Sequence, residues 1–221
     1  MNELIFVFHV FAIILSCIFA LRLGKDALIT LIVIQAILAN LFITKEISLF
    51  HLCITCTDAF AVGSGLALNL LQEYYGKKAT KNAILISFCT LIFYLIMSQF
   101  QLWYKPISSE THQPFSAILS LMPRVVCASI ISYLICQLID YNVYALLKTK
   151  LHNKFFILRN YGSLIISQTI DTILFSFLGL YGIVPHIWHI ILVSFIIKIA
   201  TIILATPLMS LLKGSIHKKL F

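Results

Sequence analysis

Five ionisable side chains lie inside segments of the sequence that are otherwise apolar. They are Asp58, Arg124, Asp140, Asp171 and Lys198. If these segments cross a membrane, each such group costs at least about 2.5 to 3.5 kcal/mol at the bilayer centre, and groups of this kind typically bind a ligand, carry a proton or form ion pairs. They are therefore the first candidates for a functional site. Glu73, at the end of the apolar segment that contains Asp58, is a further candidate.

A glutamine precedes an aspartate by three residues at two places in the chain. The pairs are Gln137 with Asp140 and Gln168 with Asp171. In a helix of 3.6 residues per turn, residues three apart share a face. A helix face with an amide and a carboxylate is too polar to be exposed to lipid, so we expect both pairs to point into a helix bundle.

Each pair belongs to a longer stripe on its own helix. The two stripes consist of Ser129, Tyr133, Gln137, Asp140 and Tyr144 in the first and of Tyr161, Gln168, Asp171 and Phe175 in the second. At 100° per residue the members of the first stripe fall within about 80° of one another. The spacing of the flanking loops also places Asp171 and Lys198 at similar depth, near the membrane midplane, and so predicts a contact between them.

Structural roles are the alternative for most of these residues. Asp171 and Lys198 could form an ion pair that only fixes helix register, and the glutamines could bridge helices by hydrogen bonds. Arg124 follows Pro123 and could extend to the outer interface. Asp140 has no obvious partner in the sequence, which favours a functional role for it.

The elements that must position these groups are transmembrane helices. The chain has 221 residues, of which 61% are hydrophobic and only 11% charged, outside the usual range of soluble proteins. A span takes about 20 residues, and backbone groups in lipid must bond within their own segment. The sequence predicts an all-α polytopic bundle, one membrane domain over residues 1–221, with about seven spans. They are Leu4 to Leu21, Ala27 to Thr44, Leu49 to Leu71, Ala83 to Trp103, Ser120 to Leu147, Tyr161 to Tyr181 and Ile187 to Leu212.

The distribution of lysine and arginine predicts the orientation. With the N-terminus outside and the C-terminus inside, twelve of these residues lie in the cytoplasm and only Lys45 and Lys105 lie outside. This bias agrees with the positive-inside rule. A model with six spans, in which one early segment is re-entrant or interfacial, remains the alternative because the connection around Lys45 is very short.

Several other functions are disfavoured. The net charge of +8 comes from clusters between apolar runs and not from a basic face, so nucleic acid is not an expected partner. The cysteines lie in apolar segments, where packing is the favoured role, also for the C-x-x-C of Cys53 and Cys56. The sequence contains no motif of a hydrolase, metalloprotease or nucleotide-binding loop. We therefore expect no enzyme activity, no cofactor and no bound metal.

Motifs in order along the chain resemble those of the vitamin uptake transporter family. They include E-x-Y-G-x-x-A at Glu73 to Ala79, R-x-x-x-A-S at Arg124 to Ser129, Q-x-x-D at Gln137 to Asp140, S-Q-x-x-D-T at Ser167 to Thr172, Lys198, and T-P at Thr206 and Pro207. Together they cover about two thirds of the chain. One position departs from the pattern, since Asn69 stands where many members have aspartate, which could shift substrate choice.

The resemblance implies import of queuosine precursors, the 7-deazaguanine bases queuine, preQ1 or preQ0, across the bacterial inner membrane. The ring presents two donors and a carbonyl acceptor, which suit carboxylates and amides, and its flat faces suit tyrosine rings. The implied partners are this small molecule and the lipid bilayer; the oligomeric state stays open, a homodimer included. A substrate-binding subunit or secondary transporter for another small vitamin or purine-like compound is the alternative. The implied substrate-binding residues are Asp58, Asn69, Glu73, Arg124, Tyr133, Gln137, Asp140, Gln168, Asp171 and Lys198.

Overall fold

The computed structural model of the protein describes residues 1–42, 45–49, 52–55, 57–119, 123–182 and 187–220 and is almost entirely helical over these ranges. The helices are α1 (Asn2–Leu23), α2 (Lys25–Leu41), α3 (Thr57–Trp103), α4 (Ser109–Leu119), α5 (Pro123–Lys150), α6 (Phe156–Phe175), which continues as a π-helical turn (Ser176–Leu180), and α7 (Ile187–Leu220). Within these ranges, five helices are long and apolar enough to cross a membrane: α1, α3, α5, α6 with its π-helical turn, and α7. The fold is a multi-pass helix bundle.

Gly76 divides α3 into two segments, residues 57–75 and 77–103. Its backbone angles, φ 80° and ψ 177°, lie in a region that essentially only glycine occupies. Ser64 and Ser87 would be about 35 Å apart in a continuous helix, yet both side chains adjoin the hydroxyl group of Tyr133. The chain therefore reverses direction at Gly76, and α3 is a helical hairpin with almost no loop.

A β-hairpin precedes α3, where the sequence analysis expected helix. Strands β1 (Glu46–Leu49) and β2 (Leu52–Thr55) are antiparallel and pair Ile47 with Ile54. The expected third span from Leu49 was wrong at its start, because helix begins only at Thr57. Polar and apolar residues alternate along β1, which is the signature of a strand and was overlooked inside a hydrophobic stretch. The side-chain amide of Asn2 donates to the carbonyl oxygen of Ser48 at 2.8 Å and ties α1 to the hairpin.

Other helix boundaries also differ from the predictions. Helix α6 begins at Phe156 and not at Tyr161, and α7 extends to Leu220. Helix α4 was not predicted at all; at 11 residues it is about 16 Å long, too short to cross the hydrocarbon core. Thr44, Cys56, Ser120 and His186, on which sequence predictions also rested, lie outside the described residues.

The first segment of α3 lies at the centre of the bundle. Its buried residues share one hydrophobic core with α1, α2, α6 and α7. Two glycines allow this close packing: a Cβ atom on Gly63 would lie 2.5 Å from Cγ2 of Ile13, and one on Gly65 would lie 2.6 Å from Cδ2 of Leu164. Small residues at helix interfaces are typical of membrane bundles, and here they bring α3 against α1 on one side and α6 on the other.

Candidate functional site

An ion-pair cluster around Glu73, which we call the Glu73 cluster (Glu73, Tyr144, Lys148 and Arg159), joins α3, α5 and α6. Arg159 donates from Nη1 to Oε2 of Glu73 at 2.9 Å and from Nη2 to Oε1 at 3.1 Å. Lys148 Nζ lies 3.0 Å from Oε2, and the hydroxyl group of Tyr144 donates to the same oxygen at 3.0 Å. Two cations thus meet one carboxylate, so the predicted candidate Glu73 is held by the protein itself.

Arg159 was missed as a site residue because the sequence placed it in a cytoplasmic loop. The structure places it in the first turn of α6, and its side chain is only 1% exposed. The guanidinium group also lies over the ring of Tyr144, 5.5 Å from the centroid. Helix α6 begins at Phe156, five residues before the predicted start at Tyr161. Arg159 therefore belongs to the helix and lies inside the bundle instead of in a loop.

A second ion cluster joins α3, α6 and α7; we call it the Lys198 cluster (Asp58, Asp171, Ser194 and Lys198). Lys198 donates a hydrogen bond to Oδ2 of Asp171, which confirms the predicted contact. Asp58 Oδ1 lies 3.7 Å from Nζ of Lys198, and the Ser194 hydroxyl group donates to the Asp58 carboxylate. One ammonium group is therefore shared by two carboxylates, and the sequence did not predict the contribution of Asp58.

Asp140 lies between these clusters and has a different environment. Asp140 is only 1% exposed, and neither of its carboxyl oxygens has a hydrogen-bond partner within the described part of the chain. The side chains of Asn69 and Ser163 adjoin it, but Asn69 Nδ2 donates to Ser163 Oγ at 3.0 Å. Gly65 provides space beside the carboxyl group on α3. The predicted candidates Asp140 and Asn69 are thus brought together.

Gln137 and Tyr133 contribute a polar group on the same helix as Asp140. Gln137 Nε2 donates to Ser64 Oγ at 2.7 Å. The hydroxyl group of Tyr133 adjoins Ser64, Ser87 and Gln137 but has no hydrogen-bond partner in the described structure. This group links α5 to both segments of α3, so Gln137 does bridge helices, while Tyr133 keeps an unused hydroxyl group.

The two remaining predicted residues, Gln168 and Arg124, lie in different parts of the bundle. Gln168 Nε2 lies 3.5 Å from the sulfur of Cys136, and its Oε1 has no partner among the described residues. Arg124 donates to the carbonyl oxygens of Leu178 and Tyr181, at 2.8 Å each, and so caps the end of the π-helical turn. Of the ten predicted residues, Arg124 is the one that lies apart, on the exposed end of α5.

The polar groups follow a line along α5. Cys136, Asp140 and Tyr144 are each four residues apart and therefore lie on one face, about 6 Å from one to the next. Tyr144 contacts the Glu73 cluster, and Cys136 interacts electrostatically with Asp171 and Lys198. A polar interior with unused acceptors can bind a ligand rich in hydrogen-bond donors. Elsewhere, a groove of about 470 Å³ between α1 and α2 is lined mainly by apolar residues and is remote from these groups.

Comparison with known proteins identifies the family. Residues 59–212, more than half of the chain, match the model of the family described as "Putative vitamin uptake transporter". The chain belongs to this family. The curated "Probable queuosine precursor transporter" of Bacillus subtilis (strain 168) is 29% identical over 204 residues, which are 90% of this chain and 89% of that relative. No solved structure matches the chain.

In this chain, the motifs shared with the family coincide with the structural groups described above. The E-x-Y-G-x-x-A motif supplies the acceptor of the Glu73 cluster and the reversal at Gly76. The two Q-x-x-D motifs supply Asp140 and the Asp171 of the Lys198 cluster. Within the described residues, no three histidine, cysteine or acidic side chains are grouped as metal ligands. The motif residues Glu73 and Asp171 take part in ion pairs in the interior.

Proposed function

We propose that this protein imports queuosine precursors, the 7-deazaguanine bases queuine, preQ1 or preQ0, across the bacterial inner (cytoplasmic) membrane for salvage into tRNA. The observation that carries the proposal is the Bacillus subtilis relative named as a queuosine precursor transporter, which matches nearly the whole length of both chains. Family membership supports the transport role. The protein is a carrier and not an enzyme in this proposal.

The proposed substrate site is centred on Asp140 and Asn69. Adjacent N1–H and 2-amino groups of a 7-deazaguanine ring present two parallel donors, which one carboxylate can accept with its two oxygens. Neither oxygen of Asp140 has a partner among the described residues, and the side chain of Asn69, whose Oδ1 is also without a partner, lies beside the carboxyl group. Gln137, Gln168 and Tyr133 supply further hydrogen-bonding groups at the edges of the site.

In this proposal, the Glu73 cluster and the Lys198 cluster close the bundle on either side of the substrate site. The Glu73 cluster ties α3 to α5 and α6, and the Lys198 cluster ties α3 to α6 and α7. A carrier must open alternately to each side, so its closures must be reversible, and ion pairs that exchange partners satisfy this requirement. Arg124, which caps carbonyl oxygens at the end of α6, holds that helix end and does not contact substrate.

The proposed topology is one membrane domain over residues 1–221 with seven spans, N-terminus out and C-terminus in. The two segments of α3 count as two spans because the chain reverses at Gly76. Helix α2, with 17 residues, is the seventh apolar segment. Reporter fusions after Lys81 and after Lys105 test the arrangement: the first should be active only as a cytoplasmic reporter and the second only as an external one. Equal locations for both fusions would refute the seven-span model.

The functional test uses a bacterium that can neither make queuosine nor import its precursors. Expression of this chain, with each of the three bases supplied outside, should restore queuosine in tRNA for at least one base. Asp140→Asn and Asn69→Leu should reduce restoration strongly, whereas Asp26→Asn, at the exposed start of α2, is the matched control and should not. Absence of restoration with every base would refute the proposal.

A second candidate is a substrate-binding subunit for another small vitamin or purine-like compound that works with a separate ATP-driven module, because the family is described by vitamin uptake and not by queuosine precursors. The two candidates differ in their need for a partner. Uptake by the purified protein in vesicles that contain no other protein would support a self-sufficient carrier. Uptake only after an ATPase module is added would support the second candidate.

A further inference from the structure

The surroundings of Asp140 contain more acceptors than donors. Both carboxyl oxygens of Asp140 and Oδ1 of Asn69 are buried without a hydrogen-bond partner among the described residues. The neighbouring donors are few: one Nδ2 hydrogen of Asn69 goes to Ser163 Oγ and the Ser163 hydroxyl hydrogen goes to the carbonyl oxygen of Asn160. One amide hydrogen of Asn69 is then left for three acceptors. Buried acceptors without donors are costly, so this arrangement lacks at least one hydrogen atom.

Within the described ranges, no cation pairs with Asp140. Asp140 interacts with Cys136 and Tyr144 on α5, and the charged groups next to these two side chains are Glu73 on α3, Arg159 and Asp171 on α6, and Lys198 on α7. Among them, both cations are engaged: Arg159 binds Glu73, and Lys198 is shared by Asp171 and Asp58. A buried carboxylate without a partner takes up a proton in preference to remaining ionised.

We propose that Asp140 carries a proton in the substrate-free protein and that substrate binding releases this proton to water. The second half rests on the proposed function. In a neutral carboxyl group, the O–H is itself a donor and would face one of the two ring donors without forming a hydrogen bond. The ionised carboxylate can accept a hydrogen bond from each of them. The exchange balances as a protonated Asp140 plus a neutral ring giving a carboxylate–ring complex and one proton.

The exchange makes binding depend on pH with a defined sign. The free protein holds one proton more than the complex, so low pH favours the free protein and weakens binding. In the pH range where Asp140 of the free protein is protonated, the affinity for the base should rise by up to about tenfold per pH unit. In Asp140→Asn, which keeps the shape of the neutral group, this dependence should vanish.

The first test needs no substrate. Infrared spectra of the purified protein in lipid nanodiscs, taken across a pH titration, should contain the carbonyl stretch of a buried protonated carboxyl group. We expect the band to be missing in Asp140→Asn, to shift in Asp140→Glu, and to stay in the control Asp26→Asn. If Asp140→Asn does not fold, the shift in Asp140→Glu decides instead. A band that is missing from the wild type, or unchanged in both Asp140 variants, would overturn the proposal.

The second test measures the released proton. Calorimetry of preQ1, preQ0 or queuine binding in two buffers with different heats of ionisation should give about one proton released per molecule bound to the wild type. Release of no proton, with the protonated band present, would overturn the exchange. If none of the bases binds, the proposed function fails, while the infrared titration still decides whether Asp140 holds a proton.

Discussion

Arg159 and Glu73 form two parallel hydrogen bonds, from Nη1 to Oε2 and from Nη2 to Oε1, between α6 and the end of the first segment of α3. This fork geometry is specific to arginine, because a lysine presents a single ammonium group. Arg159 is almost completely buried, so the pair is not a surface contact. It fixes the distance between two helices that flank the candidate site.

Replacement of Arg159 should destabilise the protein strongly. Arg159→Gln leaves Glu73 with Lys148 as its remaining cation, and removing one partner of a buried pair typically costs about 3 to 5 kcal/mol. We expect a lower midpoint of thermal unfolding in detergent and a lower yield of folded protein. Lys154→Gln, an exposed change close by, is the control and should leave the midpoint unchanged. An Arg159→Gln midpoint equal to that of the wild type would contradict a structural role for the pair.

The shared ammonium group of Lys198 predicts an order of severity. Lys198→Gln leaves two largely buried carboxylates without a cation, whereas Asp171→Asn leaves Lys198 paired with Asp58. The first change should therefore reduce folded yield and transport more than the second. Uptake assays and size-exclusion profiles of both variants measure this. Equal damage from the two changes would mean that Asp58 does not compensate for Asp171.

The backbone at Gly76 should not accept a side chain. Gly76→Ala places a Cβ atom at φ 80° and ψ 177°, and residues forced into such regions cost on the order of 1 to 3 kcal/mol. No heavy atom lies within 4 Å of the added Cβ, so the cost comes from the backbone alone. Thermal unfolding should show a lower midpoint for Gly76→Ala than for the exposed control Lys77→Ala. Indistinguishable midpoints would argue against the reversal at this residue.

Gly65 tests the packing beside the candidate site. In Gly65→Ala the new methyl group meets Leu164 at 2.6 Å and comes near Asp140 at 3.8 Å. Separation of α3 and α6 should reduce stability, typically by about 1 to 3 kcal/mol for an overpacked core. A second change, Leu164→Ala, removes the colliding group and should restore part of the stability in the double variant. Additive losses in the double variant would show that the two side chains do not collide.

The sequence was most informative where helix periodicity and membrane energetics act together. The Q-x-x-D spacing placed Asp140 and Asp171 on interior faces, and equal distances from the flanking loops predicted the contact of Asp171 with Lys198. These inferences need only the geometry of one helix and a depth in the membrane.

The sequence was least informative where partners come from different helices. The pairing of Arg159 with Glu73 depends on how α3 and α6 pack and on where α6 begins, and neither follows from local pattern. Asp58 reaches Lys198 across 140 residues of chain for the same reason. The β-hairpin was missed because the alternation at Glu46 to Leu49 is only four residues long and leads directly into a long apolar run.

The reversal of α3 at Gly76 also bears on how its two segments can move. Exposed lysines, Lys77, Lys78 and Lys81, follow the turn directly, and there is no loop between the two segments to absorb a displacement. Glu73, which anchors the first segment to α5 and α6, is only three residues before the turn. We therefore expect a shift of residues 57–75 to be passed directly to residues 77–103, so a single glycine makes the two segments one mechanical unit.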